Sequence, residues 1–257
     1  MSSFMNSIIV DIDNIYLNAL RNQIMKTLGL CTLAALSLSA CATGMNGGTT
    51  GNNQNNVVTQ YPVEATLLNI YTKARSESLV ATVGNQTASA DIKVTPKGQM
   101  TYNNKTVQGT EINTINKVNK QVTNQSVAIN YFTVDPLVFH GFTDSTGKYS
   151  LSNQTTAIPK MATVGASSPL ITENVYADRS MRKKIGTYNQ GWSLTRDSNN
   201  TAWFCIDTSS NLLLDMDPEG TSSECYKINA QGDILASKVT ISQPSNNGTN
   251  TVTFTSR

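Results

Sequence analysis

The sequence predicts a mainly β fold, an antiparallel sheet or sandwich laid out as a meander, with one short helix near its start. Three observations carry this. From residue 79 onward, short runs of β-branched and aromatic residues alternate with polar ones, the period of a strand with one buried face. Clusters of Gly, Asn, Asp and Pro separate these runs. Residues 62–75 are the only good helix candidate in the part expected to fold, with apolar side chains at helical spacing and charges placed to suit.

Ahead of the β-rich part lies a segment of a different kind. From Met25 the chain has a basic residue, Lys26, then an apolar run over residues 27–37 too short to span a bilayer, then Leu38-Ser39-Ala40-Cys41. That is the layout of an export signal. The Leu-Ser-Ala-Cys ending resembles the lipobox of bacterial lipoproteins. The resemblance implies recognition through Leu38, Ser39 and Ala40, cleavage before Cys41, diacylation of the Cys41 thiol and acylation of the new amino terminus. Ala42 stands where an inner-membrane retention signal would place Asp, which by the same resemblance implies an outer-membrane lipoprotein, facing the periplasm or the surface. Residues 1–24 break the grammar, because Asp11 and Asp13 put negative charge where a signal carries positive charge. Translation is therefore expected to begin at Met25. The alternative is an amphipathic helix through Ile8, Ile12, Ile15 and Leu20. The expected organisation is a mis-assigned start or leader (1–24), a signal peptide (25–40), a lipidated flexible tether (41–61) and a single β-rich domain (62–257).

Processing would remove Arg21 and Lys26 with Asp11 and Asp13, leaving 17 basic and 15 acidic residues. So small a surplus argues for no nucleic-acid partner and no special attraction to an anionic surface. Four cysteines are present. Cys31 leaves with the signal and Cys41 takes the lipid, so Cys205 and Cys225 remain to pair in an oxidising compartment. Closing that loop would stabilise the fold by roughly 3 kcal/mol.

Taken in order, residues 42–61 are rich in Gly, Asn, Thr and Gln and bury too little to order themselves, hence the tether. The helix over 62–75 places Val63, Leu67, Ile70 and Ala74 on one face, with Glu64 early and Lys73 and Arg75 late, a polarity that suits the helix dipole. Strands are expected at 79–83 and around Ile92 and Val94, with a turn at Pro96-Lys97-Gly98. Residues 108–117 and 121–132 also fit a helical period, but their Asn and Thr content favours strands. Further strands are expected at 137–142 and 148–153. Residues 155–172, with Pro159, Gly165 and Pro169, read as a long irregular connection. The clearest alternation lies at 184–195, 201–207, 224–229, 234–243 and 250–256, with turn residues at 197–200, 231–233 and 244–249, and with an excursion expected over 208–223 between the strands that carry Cys205 and Cys225.

Candidate chemistry is sparse. His140 is the one histidine, flanked by Phe139 and Phe142, and no nucleophile motif or phosphate loop accompanies it. Asp215, Asp217 and Glu219, followed by Gly220, resemble the opening of a calcium loop, but Tyr226 stands where the bidentate Glu belongs and Pro218 stiffens the turn, so a solvated acidic loop is favoured and no cofactor is expected. The basic run Arg179 to Lys184 reads as a solvated hairpin tip. Trp192 and Trp203 could form a sugar-stacking platform or the aromatic core of the meander, and the core reading is preferred.

The segments Trp203-Phe204-Cys205 and Glu224-Cys225-Tyr226-Lys227 make the domain resemble uncharacterised β-rich envelope lipoproteins of Gram-negative bacteria. The function expected is a non-enzymatic cell-envelope module, held to the membrane by lipid, that meets an envelope protein or glycan. The alternatives are an envelope hydrolase with a carboxylate site and a carbohydrate-binding module.

Overall fold

The computed structural model describes residues 57–212, 220–245 and 248–257. Leu38, Ser39, Ala40, Cys41, Asp215, Asp217 and Glu219 lie outside the described residues. One helix, α1 (Val63–Thr72), follows strand β1 (Gln60–Pro62). Then come β2 (Arg75–Val83), β3 (Gln86–Tyr102), β4 (Lys105–Val118), β5 (Gln121–Val134), β6 (Leu137–Asp144) and β7 (Tyr149–Asn153). The remaining strands are β8 (Met161–Thr163), β9 (Ser167–Tyr176), β10 (Lys184–Arg196), β11 (Ala202–Leu212), β12 (Thr221–Ile228), β13 (Ile234–Ser245) and β14 (Gly248–Ser256).

The expected antiparallel β architecture is present, but as a closed barrel of twelve strands and not as an open sheet or sandwich. The meander β10 to β14 continues into β2 through Thr255 opposite Val80 and Ser256 opposite Leu79, runs on to β7, and closes through β9, which pairs with both β7 and β10. Alternation records which face of a strand is buried, and a barrel and a sandwich bury the same face. Closure depends on pairing between distant segments, which the pattern does not carry.

Several boundaries differ from expectation. Tyr61, placed at the end of the tether by the sequence, is fully buried, and β1 pairs with β8 inside the stretch expected to be irregular. The turn expected at Pro96-Lys97-Gly98 is a bulge within β3, where the register with β4 shifts between Pro96 and Gly98. Gly98 has φ 74°, so the strand bends there without reversing. The reversal comes at Asn103-Asn104, both with positive φ (48° and 60°), the backbone of a tight hairpin. Beyond the bulge this hairpin folds back onto the outside of the barrel, where Tyr102 stacks on Tyr131 at 4.0 Å and on Tyr149 at 4.9 Å.

Helix α1 closes one end of the barrel. Its buried residues Val63, Leu67, Ile70 and Tyr71 pack on Phe132, Phe139, Trp192, Leu194, Phe204 and Ile228, which point inward from the wall. A ten-residue helix gains little from propensity alone, so its ends are held by tertiary partners. At its start, the amides of Val63 and Glu64 donate to the carbonyls of Lys160 and Pro159. At its end, the Thr110 hydroxyl donates to the Tyr71 carbonyl and the Arg75 guanidinium to that of Ile70. A second apolar layer, Leu79, Ala81, Ala90, Ile92, Val239, Ile241, Val252 and Phe254, fills the side formed by β13, β14, β2 and β3.

The outer wall is polar along β2, β3, β13 and β14. Outward positions hold Ser76, Ser78, Asp91 and Lys93 on β2 and β3, and Thr240, Ser242, Thr251, Thr253 and Thr255 on β13 and β14. A barrel that spans a bilayer carries an apolar band at such positions. No helix among the described residues is long and apolar enough to cross a membrane.

Candidate functional site

The densest group of titratable side chains lies inside the barrel, beneath α1. Arg75 and Glu77 sit on β2 in the same phase as Leu79, and Glu224 sits on β12 in the same phase as Tyr226 and Ile228, so the alternation that buries the apolar residues also turns these charges inward. Arg75 Nε stands 3.4 Å from Glu77 Oε1, and its guanidinium carbon lies 5.6 Å above the Tyr226 ring. The Ser237 hydroxyl donates to the other Glu77 oxygen. Burial pushes the Glu224 carboxyl up to about 7, with Glu77 adding to the rise and Arg75 opposing it. Burial and Glu224 together raise the phenols of Tyr226 and Tyr71.

A carboxyl that titrates near neutrality beside an ion pair is chemically capable of moving a proton. The space around it is small. The cavity lined by Arg75, Glu77, Glu224, Tyr226 and Ser237 measures about 20 Å³, room for about one water. On the β9 side of the interior, Glu173 accepts hydrogen bonds from Ser150 and Ser152. Gln190, Ser222 and Thr114 are also buried in the inward phase of their strands, with side-chain polar atoms that have no protein partner among the described residues.

The outer face of β9 to β13 has a different character. Cys205 and Cys225 stand directly opposite each other on β11 and β12 and form the disulfide expected from the sequence. Further along the same face, Asp207 accepts from Ser193 at 2.9 Å and from Ser223 at 2.6 Å. Around it opens a shallow groove of about 640 Å³ whose outward residues include Asn189, Asp207, Ser223, Thr240 and Ser242. Most of its lining residues carry hydroxyls, joined by two amides, one carboxylate, Pro169 and Trp192.

No protein-family model, curated protein or solved structure matches this chain. What the site can do therefore follows from its own geometry.

The two tryptophans fall on opposite faces of one wall. Trp192 is 4% exposed, points inward and stacks on Phe204 at 6.2 Å. Trp203 points outward, donates its indole N–H to Asp197 and carries the Lys238 ammonium 4.2 Å above its ring. They share no platform. Lys227, with Thr201 and Trp203, holds the Asp197 carboxyl below the usual carboxylate range. His140 is half-buried on β6, and burial, with help from Lys105, lowers its basicity. Among the described residues no group of three or more His, Cys, Asp and Glu could hold a metal ion.

Sequence reasoning misses Arg75, Glu77, Glu173 and Glu224 as site residues. One of them nevertheless carries a signal. Glu224 keeps phase with Tyr226 and Ile228 on a strand the sequence predicts, so its charge on the apolar phase is legible there. Arg75 and Glu77 join the phase of Leu79 and Ala81 only because β2 begins at Arg75, where the sequence predicts the end of the helix.

Proposed function

We propose that this chain is a lipid-anchored, non-enzymatic component of a bacterial cell envelope whose barrel meets another envelope component through its outer wall. One contrast carries the reading. The carboxylates of Glu77 and Glu224 sit in a cavity the size of a single water, whereas the outer face of β9 to β13 offers a polar groove of about 640 Å³. A hydrolase would need its carboxylates to converge on a cleft that admits a substrate. Here the ionisable cluster holds α1 to the wall through Arg75, and binding is left to the outside. The groove's hydroxyls and amides both donate and accept, so they suit a polar, neutral surface more than a lipid or a polyanion.

Affinity capture from native membranes, with wild-type chain and with Thr240→Arg, tests the binding reading. Thr240 lies on the groove's rim, and a long cation there should cut recovery of the captured component by about tenfold, equivalent to 1.4 kcal/mol. Undiminished recovery would place the contact elsewhere. Palmitate labelling of the same cells checks the anchor, since Cys41→Ala should abolish the label.

A further inference from the structure

Consecutive strands of the barrel run antiparallel, so their joints alternate between its two ends. Helix α1, the β1–β8 pair, and the joints β5–β6, β10–β11 and β12–β13 all fall at one end. The chain also enters there, because the Val58 amide donates to the Asn199 carbonyl in the β10–β11 joint. Of the six large hydrophobic residues that are markedly exposed among the described residues, Val57, Val134, Met161 and Leu235 belong to this end, while Val122 and Met181 belong to the other. Leu235 is the most exposed of the four at 55%, and Met161, opposite Pro62 in the β1–β8 pair, follows at 47%. Behind them lie the half-buried Leu68, Ala162 and Ile234, which continue into the core.

We infer that this helix-capped end is the face that rests on a phospholipid bilayer, with Val57, Val134, Met161 and Leu235 as the residues that dip into it. The inference rests on the lipid-anchor reading of Cys41 and adds an orientation to it. Geometry selects the occupant. Cys41 and Val57 are 16 positions apart in the sequence, so a flexible tether of the kind the composition predicts would span about 22 Å root-mean-square. β10 has 13 residues, so at the usual rise and tilt the barrel wall is about 30 Å tall. A lipid at Cys41 would therefore hold the entry end close to the headgroups, and bringing the opposite end to the bilayer would require the tether to extend past the whole wall. Charge fits the same occupant. Most cations at this end are engaged within the protein: Lys73 pairs with Asp233, Lys97 with Glu111 and Lys227 with Asp197, and Arg196 donates to the carbonyls of Val58 and Ser198. Apolar contact is left to dominate, which makes the association only weakly dependent on salt.

The test uses the full lipidated chain reconstituted into vesicles of phosphatidylethanolamine and phosphatidylglycerol with brominated acyl chains, which quench indole fluorescence at short range. Leu235→Trp and Met161→Trp report on the helix-capped end and Val122→Trp on the other. All three positions are exposed, so the fold tolerates the change. The expected result is quenching of the first two about twofold stronger than that of Val122→Trp, as for rings sunk to the acyl boundary, and little altered by raised salt. Equal quenching at both ends, in protein that carries palmitate on Cys41, overturns the orientation and leaves the anchor standing. Absence of palmitate overturns both. Protection of Leu235→Trp that appears without vesicles and grows with protein concentration would assign the face to a second copy of the chain and overturn the bilayer as its occupant.

Discussion

The wall from β10 to β13 and the seam between β6 and β7 close the same barrel by different means. In the wall, backbone ladders hold the strands: β10 and β11 pair over eleven positions, and β11 and β12 over eight. At the seam a single position, Thr143 opposite Tyr149, is paired. Side chains supply what the ladder lacks there. The Phe142 amide donates to Ser150 Oγ at 2.8 Å, the Phe139 amide to Gln154 Oε1 at 3.1 Å, and Gln154 Nε2 donates back to the Leu137 carbonyl. The Tyr102 hydroxyl, arriving from the folded-back hairpin, donates to the Ser150 carbonyl. Gln154 thus imitates a peptide group, with one acceptor and one donor presented to a strand edge. Where ladders are complete, side chains are free for other uses, such as the disulfide outside and Glu224 inside. Where the ladder is interrupted, side chains are committed to the backbone and tolerate little change.

Breaking the seam should have the largest effect. Gly141 has φ 141°, and a Cβ there would collide with the Ser150 carbonyl oxygen and stand 2.7 Å from the Tyr102 hydroxyl. Neither the backbone of β7 nor the stacked tyrosine can retreat cheaply. Gly141→Ala should cost about 3–5 kcal/mol, the combined scale of a strained backbone and overpacking. A urea unfolding midpoint within error of wild type would show that the seam is soft and the contrast with the wall is false.

In the wall, Glu224 offers a change that alters ionisation and leaves the ladder intact. Its carboxyl lies at about 7 in the folded protein against an ordinary 4.5. The folded state therefore holds a proton that the unfolded state has lost between these values, so this group's contribution to stability is fully present below about pH 4.5 and is lost as pH rises to about 7, beyond which it adds no further slope. The drop should be roughly 3 kcal/mol from a shift of this size. Glu224→Gln should remove that slope and leave the protein more stable than wild type at pH 8. Arg75, Glu77, Glu173, Tyr71 and Tyr226 are the ionisable groups around it; Arg75 limits the effect by favouring the carboxylate, and Glu77 enlarges it. Parallel stability curves for wild type and Glu224→Gln between pH 5 and 8, measured by denaturant unfolding, would refute the assignment.

The same division explains what is legible in the sequence. The strands of the wall alternate so regularly that their order and the Cys205–Cys225 bridge follow from local pattern and cysteine arithmetic, although β11 runs on to Leu212 and β12 begins at Thr221, inside the stretch expected to be an excursion. The helix is legible as well, since Val63, Leu67 and Ile70 mark its face, although it stops at Thr72 where Arg75 already begins β2. Closure is not legible, because the pairing of Thr255 with Val80 depends on three-dimensional proximity that no window of sequence contains. Nor is the bulge at Gly98, because Pro-Lys-Gly marks a bend and does not say whether the chain reverses. The interior cluster occupies a middle position. Glu224 stands in plain sight on an apolar phase, whereas Arg75 joins one only because β2 starts where the sequence predicts a helix end, and that the two phases face one enclosed space follows only once β2 and β12 belong to one barrel.

Within the seam, the smallest change separates backbone mimicry from simple packing. Gln154→Ala removes both the acceptor for the Phe139 amide and the donor to the Leu137 carbonyl, and should cost about 1–2 kcal/mol, the usual scale for polar groups left partly unsatisfied. Gln154→Glu keeps the shape and the acceptor but replaces the donor with a carboxylate oxygen that would face the Leu137 carbonyl. If mimicry is the role, Gln154→Glu should be as destabilised as the alanine variant at neutral pH and should recover part of the loss in acid, where a protonated carboxyl can again donate to Leu137. If the side chain only fills space, Gln154→Glu should match wild type at every pH, and the seam would differ from the wall in length alone.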